Sequence, residues 1–262
     1  MVLASLAAAA LLLVAAAPTA GQEKGWLPTL GTHAWTRFGS NAWKEVRIRT
    51  SSYDQQGREI RSSTTRARTR VVQVGRRSFS LCVSTTIEVA GQEISPEPQE
   101  ITRELAPQVE SSRVIGKDTV TIGQVEYPTE VVELVTKNGS RLETSRLHHC
   151  ATTTPQTLRR VTTSVDPGTP ESKISTTVSV TELNKMMDIL GETQCTWSVT
   201  TVIEKLDRTV TIQEVNCRDI PGELVSQLTE ERDADGKLLR RKELELVGYG
   251  RRRLRGLFRR NR

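Results

Sequence analysis

From residue 44 to residue 250 the chain is written largely in runs of Thr, Val, Ser, Ile and Arg that alternate in polarity. β-branched side chains on a period of two fit a pleated surface with one face buried and the other wet. The pattern predicts strands at 44–52, 59–74, 78–90, 119–122, 126–136, 140–149, 158–165, 173–183, 193–204, 209–216, 224–231 and 237–247. Turn residues fall between them: Asp54-Gln55-Gln56-Gly57, Gly75-Arg76-Arg77, Asn138-Gly139, Pro167-Gly168 and Asp235-Gly236. Helix is expected only as short pieces near 99–105 and 183–190. The expected fold class is therefore all-β and mainly antiparallel: one large curved sheet, half-barrel or sandwich-like, over residues 21–250. Composition agrees, because roughly 32% of the chain beyond residue 20 is apolar and only 4% of all residues are aromatic. A doubly wound enzyme, whose buried parallel strands read as continuous Val/Ile/Leu runs, is disfavoured.

Residues 1–20, MVLASLAAAALLLVAAAPTA, form an apolar run ending in small residues, as a cleaved secretory signal does. Export to the periplasm or the extracellular space is expected. The formal net charge of +6 is concentrated at the other end. Residues 251–262 hold Arg251, Arg252, Arg253, Arg255, Arg259, Arg260 and Arg262 and no acid, while the rest of the chain carries 30 basic against 31 acidic residues. This basic tail is expected to lie outside the packed fold, and an anionic envelope polymer or membrane surface is the partner it would meet; specific nucleic-acid recognition is not expected.

Residues 114–168 can be laid over 188–236, each unit reading Ile-(Leu)-Gly, strand, turn, strand ending in cysteine, proline, strand. Cys150 then corresponds to Cys217 and Pro155 to Pro221. A hairpin centred on Leu206 sets Cys195 opposite Cys217, within disulfide reach, whereas a turn at Asn138-Gly139 sets Tyr127 opposite Cys150. Four cysteines allow three connectivities; Cys195–Cys217 with Cys82–Cys150 is the pairing expected in an exported chain.

HAWTRFGSNAWKEVRIRTSSYDQQGREIRSSTT, SLCVSTTIEVAGQEISPEPQEI, the run from Gly116 to Gly123 and CRDIPGELVSQLTEERDADGKLLRRKELELVGYG together resemble uncharacterised secreted β-rich proteins of planctomycete-type bacteria. The hairpin–cysteine–proline units are also distantly similar to the half-barrels of bacterial lipoprotein carriers. That second resemblance implies a curved sheet whose concavity accepts acyl chains beneath covering helices.

Motifs that would carry other chemistry are weak. In a strand His148 and His149 point to opposite faces, so only His148 and Cys150 converge, with His33 as a recruit, and no metal or other cofactor is expected. No Gly-x-Ser-x-Gly elbow accompanies the three histidines, Gly116-Lys117-Asp118-Thr119 lacks the spacing of a phosphate loop, and Glu97 and Glu100 are one carboxylate pair among many. Asp233-Ala234-Asp235-Gly236 begins like a calcium loop but has Lys242 where the bidentate acid belongs. Asn138-Gly139-Ser140 reads as a turn rather than a glycosylation acceptor. Trp26, Trp35, Phe38 and Trp43 either stack on a ligand or pack; packing is expected, as for Trp197, because the core is thin. The function expected is a non-catalytic binding or structural module of the cell envelope, holding an apolar or acyl ligand or lipid in the sheet's concavity. The alternative is an envelope hydrolase whose site forms only in three dimensions.

Overall fold

A computed structural model describes residues 33–105, 109–138, 141–166 and 168–251. Fourteen strands run in chain order: β1 (Trp43–Tyr53), β2 (Glu59–Val74), β3 (Ser78–Val89), β4 (Gln92–Ile94), β5 (Gln99–Glu104), β6 (Val109–Ile122), β7 (Val125–Asn138), β8 (Arg141–His149), β9 (Thr157–Asp166), β10 (Thr169–Ile189), β11 (Glu192–Glu204), β12 (Arg208–Cys217), β13 (Leu224–Asp233) and β14 (Leu238–Gly250). A single 3-10 turn at Thr36–Phe38 is the only helical element among the described residues. All fourteen strands belong to one antiparallel sheet that does not close into a barrel, in the order β4-β3-β2-β1-β14-β13-β12-β11-β10-β9-β8-β7-β6, with β5 also pairing β3.

The chain thus enters mid-sheet, walks outward to the β4/β5 edge, restarts at the opposite edge with β6, and returns by hairpins until β14 zips onto β1. Twelve inter-strand steps would span roughly 58 Å if flat. Leu105 and Val109 are only four peptide units apart, at most ~15 Å. The sheet must therefore curl until its two edges approach. Register identifies the inner face: Val180, Val199, Glu214, Gln227, Leu244, Ile48 and Thr65 pair in sequence across seven strands. Leu244, Ile48 and Thr65 in this row are buried. The adjacent row faces outward and carries the exposed Arg47–Glu245 ion pair at 2.7 Å.

Four small clusters replace a single core. Val46, Ile48, Leu244, Leu246, Val225, Ile220 and Cys217 form one, and Trp35, Val71, Phe79 and Leu81 a second. Ile122, Cys150, Leu158 and Val180 form a third, in which the end of β6 folds over the inner face of β9 and β10, and Val132, Leu134 and Leu147 a fourth. Two Asp-x-x-Gly turns are built alike: Asp54 Oδ1 accepts from the backbone N–H groups of Gln56 and Arg58, and Asp233 Oδ1 from those of Asp235 and Lys237. Gly57 and Gly236 supply the positive φ that each needs. The calcium-like sequence is thus a hairpin turn.

Several sequence expectations are corrected. Both helical pieces are strands: 99–105 falls on β5, and 183–190 on the far half of β10, where bulges at Val180/Glu182 and Glu182/Lys185 and a left-handed Asn184 break the alternation. Strand β6 begins ten residues before 119. The β7–β8 pairing ends at Asn138↔Arg141, so the register places Thr129, not Tyr127, level with Cys150.

Candidate functional site

The β6–β7 hairpin tip lies against the inner face of β10 to β13 and borders an open cleft of about 880 Å³. Ile122, Gly123, Val125 and Tyr127 come from the tip; Leu183 and Val199 add apolar wall, and Thr181, Ser198, Thr200 and Gln213 are among the polar residues beside them. Glu214 and Gln227 are brought together because they are register partners on neighbouring strands, and the Gln227 amide donates to Glu214 Oε1 at 2.7 Å. Gln227 is 5% exposed, and its own Oε1 accepts nothing. Burial pushes the Glu214 carboxyl above the usual carboxylate range, against the opposing pull of the Gln227 hydrogen bond and the charge of Lys44.

Other ionisable groups share the inner face. Lys44 lies two residues before Val46, 8% exposed; its Nζ donates to the Leu224 carbonyl at 3.2 Å and sits 5.4 Å from the Trp35 ring centroid. Burial pulls its pKa down to about 8, against the charges of Glu214 and Glu223. Lys242, two residues before Leu244, is likewise held at about 8 by burial, with Arg240 adding repulsion. Arg160, also depressed by burial, donates to Thr162 Oγ1 at 2.9 Å.

Sequence reasoning passed over all of these, although a signal was present. Lys44 precedes Val46 and Ile48 on one parity, Lys242 precedes Leu244 and Leu246, and Glu214 follows Val210 and Ile212. A charged residue on the apolar parity of a strand marks a polar group that the fold takes inside.

All four cysteines are free thiols. The expected Cys195–Cys217 bridge fails by one residue: the β11–β12 hairpin pairs Thr196 with Cys217, so Cys195 faces the other way and is exposed. Cys82 lies on β3 and Cys150 follows β8, also unbridged. Cys217 instead donates to Gln194 Oε1 at 3.0 Å, Gln194 donates to the Tyr249 hydroxyl at 2.8 Å, and that hydroxyl donates to Glu192 at 3.0 Å.

His148 Nδ1 lies 3.4 Å from Asp118 Oδ2, and burial holds its pKa below the ordinary value despite that carboxylate. Among the described residues no group of three or more His, Cys, Asp or Glu is arranged to hold a metal ion. His33 packs on Phe79 with ring centroids 4.3 Å apart. Trp35 and Trp197 are buried, Phe38 packs on the Trp35 cluster, and Trp43 lies 4.0 Å beneath the Arg68 guanidinium; Trp26 is outside the described residues. Of the arginine tail only Arg251 is described, paired with Asp219 at 3.5 Å and 5.5 Å from the Tyr249 ring centroid. Arg252, Arg253, Arg255, Arg259, Arg260 and Arg262, like the signal-like residues 1–20, lie outside the described residues.

No protein-family model matches the chain, and no curated protein matches it. Solved structures similar to it include the following two. One is a Bacteroides fragilis protein described as exported, with a YmcC-like fold: 8% identity, TM-score 0.31, covering 82% of this chain and 99% of that one. The other is a Parabacteroides distasonis protein described as a lipoprotein: 10% identity, TM-score 0.34, covering 81% of this chain and 98% of that one. Neither comes from a planctomycete-type bacterium, and similarity this weak identifies neither a family nor an activity.

Proposed function

We propose that the protein is an exported, non-catalytic binding module of the cell envelope whose β6–β7 cleft holds one amphipathic molecule, its acyl or other apolar part against Ile122, Val125, Tyr127, Leu183 and Val199. The observation that carries this reading is the cleft of about 880 Å³, in which an apolar patch from the hairpin tip faces Leu183 and Val199 beside polar residues. That volume lies within the range of small-molecule sites, which combine apolar walls with a few placed polar groups. The covering element is a hairpin rather than the helices of lipoprotein carriers. Beyond Arg251, the arginine tail offers an anionic surface a second, salt-sensitive contact.

Nile red, a neutral solvatochromic probe, tests the cleft. Its emission is expected to rise and shift to the blue on addition of the protein. The substitution Val125→Arg, at a tip residue 53% exposed, should weaken that response at least fivefold without lowering thermal stability. Unchanged probe binding in Val125→Arg would remove the cleft from consideration.

A further inference from the structure

The cleft has polarity as well as shape. Its charged lining residues are Glu182 and Glu214, and among the described residues no Lys, Arg or His lines it. Glu182 is paired with Lys185 at 3.0 Å and accepts from Ser198 at 3.2 Å. Glu214 sits deeper, in the register row that also carries Val199, Gln227 and Leu244. Beside it Gln227 spends its amide N–H on Glu214 and leaves its carbonyl oxygen buried and unsatisfied. A buried acceptor without a donor destabilises a fold, so the Gln227 oxygen beside the cleft points to a donor arriving from outside.

Building on the cleft reading above, we infer that Glu214 and Gln227 form a two-acceptor head-group site, selecting an amphipath that ends in hydrogen-bond donors, an alkylammonium above all, over one that ends in a carboxylate. An ammonium offers three N–H donors and a charge opposite to that of Glu214. A carboxylate brings neither and meets like charge. The nearby Lys44 does not supply the missing donor, because its Nζ is directed to the Leu224 carbonyl and the Trp35 ring.

Isothermal titration of the folded protein with dodecylamine and with dodecanoate, each below its aggregation limit at neutral pH, separates the two readings. Dodecylamine is expected to bind at least tenfold more tightly. The double substitution Glu214→Leu with Gln227→Leu removes both acceptors together and should abolish the preference while both chains still bind, at the cost of the Asn216 hydrogen bond and of a counter-charge for Lys44. A cooperative melting transition in the double variant shows that the fold is kept. Equal affinity of the wild type for the two ligands, or a preference for dodecanoate, overturns the head-group site and leaves the cleft standing. Binding of neither overturns both.

Discussion

Two loops of this sheet close in the same way and are held by different means. After β8, the Cys150 N–H donates to the Gln156 carbonyl at 2.8 Å and the Thr153 N–H to the Cys150 carbonyl at 3.5 Å; after β12, Cys217 donates to Glu223 at 2.8 Å and Ile220 to Cys217 at 3.2 Å. The first loop is stabilised from within: Thr153 Oγ1 donates to the Pro155 carbonyl at 2.8 Å, and the Thr152 hydroxyl lies 3.2 Å from Cys150 Sγ. The second is stabilised from almost two hundred residues away. Arg37 reaches both Glu223, at 2.5 Å, and the Arg218 carbonyl, at 3.1 Å, while Gly222 lies so close to Trp35 that a Cβ there would come within 2.6 Å of the indole. Local hydroxyls suffice for one loop, and the other is a docking point for the start of the sheet. The difference shows that one backbone motif can serve as a turn or as a joint, depending on what packs above it.

The largest effect that separates the loops should come from Trp35. Trp35→Ala is expected to cost about 3–5 kcal/mol, as for other buried aromatics, and Gly222→Ala about 2–3 kcal/mol from overpacking and positive φ. In urea melts both should loosen the Cys217 loop, read by its thiol exposure, and leave the Cys150 loop protected to the global transition. Equal loosening of both loops would break the distinction.

An intermediate effect is expected at Lys44, which stacks on the same Trp35. Its folded pKa, about 8, lies below the unfolded value near 10.5. Between these values the unfolded chain binds more protons, so stability rises with pH, and the full penalty applies below pH 8. Lys242 titrates in the same window. The melting temperature should therefore climb from pH 7 to pH 10. Lys44→Met should flatten that climb and stabilise the protein at pH 7 by about 1 kcal/mol, the relieved burial cost exceeding the lost hydrogen bond and ring contact.

The smallest effect concerns the thiols themselves. Burial raises Cys217, whereas at Cys150 burial is outweighed by hydrogen bonds from Thr152 and Thr153, which leave the thiol below its ordinary value. Exposed Cys195 should react first with iodoacetamide, and the pH profile of Cys150 should lie below that of Cys217. Thr152→Val should move the Cys150 profile upward; identical profiles would make the two loops chemically equivalent.

The strands and turns were legible because period and punctuation are local properties. The limits 59–74 expected for β2 are those found, and most other strands agree within a few residues. What misled was local as well: Leu183-Asn184-Lys185-Met186-Met187 contains good helix formers, yet bulges carry it as strand beside β11. The failed cysteine pairing shows how little error register tolerates, since half a residue in the centre of one hairpin reverses a side chain. The cleft was not legible at all. It depends on how far the sheet curls and where the β6–β7 tip lands, both set by contacts such as Ile122 with Leu158 and Val180 between distant strands.

The seam between β1 and β14 also has a consequence in time. Strand β1 emerges from the ribosome early and can pair with β2 at once, but its other neighbour is the last strand of the sheet, with Val46 waiting for Leu246 and Ile48 for Leu244. During the synthesis of some two hundred residues it therefore presents an unpaired edge, and pairings of such long sequence separation form slowly. A nascent chain of this topology carries a template for mispairing until its end is made, and Arg47 and Arg49, outward-facing charges on that strand, are the kind of residue that keeps a waiting edge from finding the wrong partner.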